Sequence, residues 1–235
     1  MGAGQKEASM KRSILFDTET TGLDPLKGDR VIEIAALELI GDLPTGNNFH
    51  VLIDPERDVP EEASRVHGFT RADLEGKPKF AEIAKGFLDF VGDDALIAHN
   101  ARFDFSFLNA ELGRAGLPEL DMGRMVDTLD MARERFPGMP NSLDALCRRF
   151  AIDLSERTTH NALLDCRLLA AVYLELTGGR QRGLGLAVEE GSGGIATYTY
   201  ARPAGHQPVR VQPTEAEIEA HQAFVKRLSD PLWLA

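Results

Sequence analysis

Asp17 and Glu19 stand two residues apart in Ser13-Ile14-Leu15-Phe16-Asp17-Thr18-Glu19-Thr20-Thr21-Gly22. A β-strand sends alternate side chains to one face, so this i, i+2 pair shares a face. Two carboxylates placed that closely repel, and a buried pair needs a cation between them. An all-oxygen donor set of this type suits a hard divalent ion, Mg²⁺ or Mn²⁺. Asp104, in His99-Asn100-Ala101-Arg102-Phe103-Asp104, follows a short apolar run and opens a helical pattern. Asp165 lies among Ala162, Leu163, Leu164, Leu168 and Leu169, and His160 precedes it by five, at the entrance of the same pattern. Each signal alone has a plainer reading: a solvated strand end, an acid favoured by a helix dipole, an exposed helical acid, a solvated histidine. Their joint occurrence is what singles them out.

The elements that must position these residues read as mixed α/β. Ser13–Asp17 is a short buried strand ending at the acidic pair. Arg30–Ile40 is a second strand, and Asn47–Ile53 a third, after the turn residues Gly41, Pro44 and Gly46. Ala95–His99 and Met125–Thr128 are the fourth and fifth. Thr70 with Asp73 forms a helix N-cap pattern, and Phe80–Phe90, Phe103–Ala115, Leu129–Phe136, Ser142–Phe150 and Asn161–Thr177 carry helical spacing. Three strands followed by alternating strands and helices predict a mixed sheet covered by helices.

In this order and with these flanks, the residues resemble the DEDDh family of 3′→5′ exonucleases. The three motifs are Asp17-Thr18-Glu19, Asn100-Ala101-Arg102-Phe103-Asp104 and His160-Asn161-Ala162-Leu163-Leu164-Asp165, and the likeness runs from about Ser13 to Thr177. Further flanks look like those of the epsilon proofreading branch, from bacterial DNA polymerase III. They are Thr45–His50, Val66-His67-Gly68, Phe136-Pro137-Gly138, Asn141–Cys147 and Leu174–Gly179. The resemblance implies an RNase H-like fold with a five-stranded mixed sheet. It implies hydrolysis of 3′-terminal, mispaired nucleotides to deoxynucleoside monophosphates by two divalent ions, which can stabilise both attacking and leaving oxygens. Asp17 would bridge the ions, Glu19 and Asp165 would bind one, and Asp104 the other. His160 is the candidate general base, since an imidazole pKa of about 6.5 suits proton transfer near neutrality. Glu62 and His67 match positions that contact the terminal nucleotide, although Glu61 stands next to Glu62 and allows a one-residue slip. Asp17, Thr18, Glu19, Asp165, His99 and Asn100 border the same substrate site. His50 is expected to be structural, and His206 solvated. A ribonuclease trimming RNA 3′ ends, or an inert polymerase-binding module, are the competing readings.

The chain has 235 residues and a formal net charge of −11. Residues 1–178 hold 20 Lys+Arg and 31 Asp+Glu, while residues 179–235 hold six of each. Lys/Arg-driven counterion release supplies most non-specific DNA affinity, so a general DNA coat is excluded. Cys147 and Cys166 lie in apolar patterns and read as reduced core residues of a cytoplasmic protein, acting at the nucleoid. No apolar run approaches a membrane span. The expected organisation is a disordered leader (1–12), an exonuclease domain (13–178), a Gly/Pro/Thr/Gln-rich linker (179–213) and a docking helix and tail (214–235). Within the linker, Gln181, Leu184 and Leu186 resemble a sliding-clamp-binding motif. Thr214-Glu215-Ala216-Glu217 is a capping-box start. The helix after it carries Ile218, Val225 and Leu228, and the only Trp, Trp233, follows. Aromatic anchors dominate interface energy, and the segment resembles the epsilon tail that binds the polymerase catalytic subunit.

Overall fold

In the computed structural model the described residues are 11–155, 157, 159–178 and 213–227. The chain divides into two units, Met1–Gly185 and Leu186–Ala235. The first holds strands β1 (Arg12–Thr20), β2 (Val31–Ile40), β3 (Leu43–Leu52), β4 (Ala95–Ala98) and β5 (Met125–Asp127). Its helices are α1 (Glu61–His67), α2 (Arg71–Leu74), α3 (Phe80–Val91), α4 (Ala101–Arg114), α5 (Thr128–Arg135), α6 (Leu143–Arg149) and α7 (Ala162–Leu176). The strands form one five-stranded sheet in the order β3-β2-β1-β4-β5. The β1–β2 and β2–β3 pairs are antiparallel, and β4 runs parallel to both β1 and β5.

Alternation along the central strands separates two cores. Ile14, Phe16, Ile34 and Ala36 pack with Phe80, Phe87, Phe105 and Leu108 of α3 and α4. Leu15, Ala35, Leu37 and Ile97 pack instead with Ala162, Cys166 and Leu169 of α7. The sheet is therefore covered on both faces. Cys147 and Cys166 are buried and unbonded to each other.

Three boundaries differ from the sequence reading. Strand β1 runs on past Asp17 to Thr20, because Thr18 and Glu19 pair in register with Ile34 and Glu33 of β2. The acidic pair thus sits inside the strand. Arg12, assigned to the leader, opens β1, and its guanidinium reaches Glu38, Asp94 and the Phe90 carbonyl. Strand β3 begins at Leu43, so that Pro44 and Gly46, read as turn residues, lie within it. The hairpin turn is the pair Gly41 and Asp42, both left-handed at φ 58° and 69°, which matches a two-residue hairpin loop. Pro44 is tolerated because β3 is an edge strand.

In the second unit, α8 (Glu215–Val225) starts at its capping box. The Glu217 carboxylate accepts from the Thr214 N–H and hydroxyl, each at 2.8 Å. Val225 is buried and Ile218 is exposed. Residues 1–10, Gln181, Leu184, Leu186, Leu228 and Trp233 lie outside the described residues.

Candidate active site

Asp17 and Glu19 lie on the face of β1 that carries Leu15, the face covered by α7. Helix α7 begins beside them. Asn161 caps it by accepting from the Leu164 N–H at 3.0 Å, which places Asp165 in the first turn. Carboxylate oxygens of Glu19 and Asp165 and a ring nitrogen of His160 lie within 4.8 Å of one another. The His160 backbone N–H donates to the Val66 carbonyl at 3.0 Å, and its Nδ1 lies 3.3 Å from Asp165 Oδ2. Asp104 comes from α4, on the opposite face of the sheet. It is 3% exposed, and its Oδ1 accepts from the Thr18 hydroxyl at 2.7 Å and the Thr18 N–H at 3.1 Å. Two helices on opposite faces therefore deliver acids to one strand.

The electrostatics follow from this crowding. Burial, then repulsion from Asp104, Glu19 and Asp165, holds the Asp17 carboxyl well above the usual range. Glu19 is pushed up to about 8 by burial, then by Asp165 and Glu33. Asp104 rises to about 7 through burial, against the hydrogen bonds from Thr18. Asp165 goes the other way: burial raises it, but hydrogen bonds from Arg157 and His160 overcome that and lower it. Arg157 forks onto Asp165 through Nε at 2.6 Å and Nη2 at 2.8 Å, and reaches Asp144 through Nη1 at 2.6 Å. Three carboxyls whose charged forms are disfavoured, beside a fourth neutralised by a guanidinium, form a donor set that lacks a cation of its own. A hard divalent cation fits it.

Two cavities meet this cluster. One, of about 350 Å³, is lined by Asp17, His99, Asp144, Arg157, His160 and Asp165. The other, of about 470 Å³, is lined by Thr18, Glu19, Glu62 and His67 with an apolar wall from Leu23, Val66 and Phe103. Glu62 lines that cavity, whereas its neighbour Glu61 pairs with Arg65 at 2.9 Å. His67 is 4% exposed. Its Nδ1 accepts from the Phe69 N–H at 3.1 Å, so Nε2 carries the proton. That buried Nε2 has no hydrogen-bond partner among the described residues. Burial lowers the His67 pKa, which keeps the ring neutral. Left-handed Gly68 (φ 84°) closes α1 behind it. His99 Nδ1 meets the Thr128 hydroxyl at 2.9 Å, and the Asn100 N–H donates to Asp127 at 3.0 Å. His99 lines the smaller cavity with Asp17, whereas Asn100 lines a separate one with Arg133 and Asn141.

The sequence reading missed three features. Helix α1 was absent from it, because a short segment with one buried side chain has no apolar stripe. Arg157 was missed because nothing in Glu156-Arg157-Thr158-Thr159 marks a buried cation. Glu33 did carry a signal: it is the lone acid in Val31-Ile32-Glu33-Ile34-Ala35-Ala36 and is fully buried.

The Exonuclease (RNase_T) family model matches residues 14–173, a span that contains all five motif residues. The DNA polymerase III subunit epsilon of Rickettsia felis is 45% identical, over 94% of this chain and 98% of its own length. That of Escherichia coli K12 is 42% identical, over 97% and 99%. This chain belongs to the exonuclease family, in its DNA polymerase III epsilon branch. The epsilon likeness continues beyond residue 173, where the family model stops, into the region that holds α8. Among solved structures, exonuclease X in complex with 5′-overhanging duplex DNA is 27% identical with a TM-score of 0.57, over 70% of this chain and 90% of that one. An E. coli exonuclease I complex with single-stranded DNA shares the fold, with a TM-score of 0.63 at 21% identity, over 73% and 41%.

Proposed function

We infer that this chain is the proofreading subunit of a bacterial replicative DNA polymerase, removing mispaired 3′-terminal nucleotides as deoxynucleoside 5′-monophosphates. The observation that carries this reading is the meeting of Glu19, Asp165 and His160 beside a pocket lined by buried His67, in an epsilon-family chain. Asp17, Glu19, Asp104 and Asp165 would hold two Mg²⁺ or Mn²⁺ ions, with Asp104 already oriented by Thr18. When bound, such ions supply charge to the attacking and leaving oxygens. His160 is 49% exposed at the cavity, so it meets both solvent and Asp165. It takes the proton of the attacking water at a ring nitrogen and passes it to bulk solvent. His67 donates through Nε2 to an oxygen of the terminal nucleotide, and Glu62 accepts from a hydroxyl of the same nucleotide. Leu23, Val66 and Phe103 face its base or sugar and exclude water. Thr18, His99 and Asn100 border the substrate and hold the surrounding loop.

The tail is assigned by sequence pattern: α8 with Ile218, Val225, Leu228 and Trp233 docks on the polymerase catalytic subunit, and Gln181, Leu184 and Leu186 engage the sliding clamp. Tethering would raise the local concentration of nuclease at the primer end. The residue ranges 13–178, 179–213 and 214–235 are the proposed exonuclease, linker and docking segments of a cytoplasmic protein working at the nucleoid. Among the described residues no helix is long and apolar enough to cross a membrane.

The deciding experiment digests 3′-labelled DNA with paired and mispaired ends, with and without EDTA, alongside a matched RNA. The reading expects metal-dependent release of the labelled mononucleotide, faster from mispaired ends because fraying costs them less. Preference for RNA would replace it with the ribonuclease reading, and no hydrolysis with either metal would leave only a binding module.

A further inference from the structure

Glu33 is fully buried on β2, directly opposite Glu19 in the β1–β2 register. Like charges facing each other across a strand pair are destabilising, so its presence there needs a compensating cause. The hydrogen bonds show one. Oε1 accepts from His50 Nε2 at 2.7 Å and from Asn161 Nδ2 at 3.1 Å. Oε2 accepts from the Ala162 backbone N–H at 3.1 Å. Both oxygens are thus engaged. Ala162 is the first residue of the 15-residue helix α7, whose positive dipole end also favours an anion.

These bonds join β2 to the one short segment that bears catalytic side chains on both sides. His160 precedes Asn161, and Asp165 follows Ala162 by three. The segment has a second tie, from the His160 N–H to the Val66 carbonyl. We propose that Glu33, through Asn161 and the Ala162 N–H, is the positioning residue that sets His160 and Asp165 against the Asp17–Glu19 strand. His50 is the outer member of this network and fixes the carboxylate from the edge strand. The proposal rests on the exonuclease reading for its kinetic consequence, but its structural content is independent of substrate.

The test uses the full chain and three variants: Glu33→Gln, Asn161→Asp and the two combined. Gln offers one oxygen where Glu33 serves three donors, and its NH₂ faces the Asn161 amide. Asn161→Asp sets two carboxylates together. The double variant exchanges amide and carboxylate across the contact, keeps an N-cap acceptor and restores a complementary pair. In Glu33→Gln, Mn²⁺ binding measured by calorimetry should weaken about tenfold, the scale of losing a partner that orients a metal ligand. The Ala162 amide should lose protection against hydrogen exchange. On a mispaired oligonucleotide kcat should fall by about tenfold to a hundredfold while KM stays within about threefold. The double variant should recover Mn²⁺ binding and amide protection relative to either single change.

Wild-type Mn²⁺ affinity in Glu33→Gln would overturn the proposal, even if Tm fell, because that is the signature of a purely structural acid. A double variant no better than the worse single variant would also overturn it. If the wild-type chain degrades no DNA, the proofreading reading fails, yet Mn²⁺ binding and Ala162 exchange still decide the role of Glu33.

Discussion

At the scale of single residues, the cluster is defined by what each acid lacks. Asp17 shares its strand face with Glu19, and no side-chain cation is paired with it at hydrogen-bond range among the described residues. If it holds the ions, Asp17→Ala should lower kcat by at least about a hundredfold at saturating Mg²⁺, with the far-UV spectrum unchanged. A rate within a few-fold of wild type would remove it from the metal site. Arg157 makes a separate claim. Its fork onto Asp165 is nearly buried, with 9% and 5% of the two side chains exposed. Breaking a buried pair costs about 3 kcal/mol, or roughly 6–12 °C in Tm. Arg157→Gln should therefore melt lower than wild type in EDTA. Saturating Mn²⁺ should narrow that gap, because a bound cation takes over the neutralisation of Asp165. An unchanged gap in metal would mean the guanidinium serves the fold alone.

At the scale of elements, the carboxyls of β1 and α4 act together, and their protonation couples to stability. Glu19 and Asp104 titrate at about 8 and about 7 in the folded protein, above the ordinary carboxylate values near 4 that an unfolded chain would show. Between those limits the folded state binds more protons than the unfolded state, so the unfolding free energy falls as pH rises. Metal-free protein should lose Tm steadily from pH 5 to pH 8. Mg²⁺ or Mn²⁺ at pH 8 should restore most of the loss by offsetting the repulsion. Calorimetric scans across that range, with and without metal, check the sign. Helix α1 offers a second element-level test. Gly68 ends it at φ 84°, one residue after His67. Gly68→Ala forces a side chain into a left-handed position, at a cost of about 1 kcal/mol. Because the strain falls beside His67, KM for DNA should rise more than kcat falls, which steady-state kinetics would resolve.

At the scale of the whole molecule, the acidic composition and the proposed partners belong together. A chain of net charge −11 gains little from Lys/Arg-driven counterion release, so its unaided grip on DNA should be weak. Four of its acids are proposed cation ligands, and the DNA would be held by partners to which the tail is tethered. Deleting residues 214–235 should leave oligonucleotide hydrolysis within about twofold of the full chain. The same deletion should abolish co-elution with the polymerase catalytic subunit. Co-elution that survives the deletion would move the docking surface elsewhere. Changing Gln181 and Leu184 together should weaken clamp binding and spare both other properties.

The acids themselves were legible without coordinates. Their identities, their order and the i, i+2 spacing of Asp17 and Glu19 are properties of the chain, and strand alternation is local geometry. The α/β pattern was legible for the same reason, since helix and strand periods are written in residues close in sequence. What only the tertiary structure decided are the contacts between distant segments. Thr18 orients Asp104 across 86 positions, and Glu33 meets Ala162 across 129. Arg157 settles on Asp165, and Glu62 parts from Glu61 because α1 turns one toward the cavity and the other toward Arg65. Burial raises Asp17, Glu19 and Asp104, while bonds from Arg157 and His160 lower Asp165, and both effects are properties of the packed whole. The sequence therefore determined which groups are the candidates for the chemistry, while packing decided how each is held and charged.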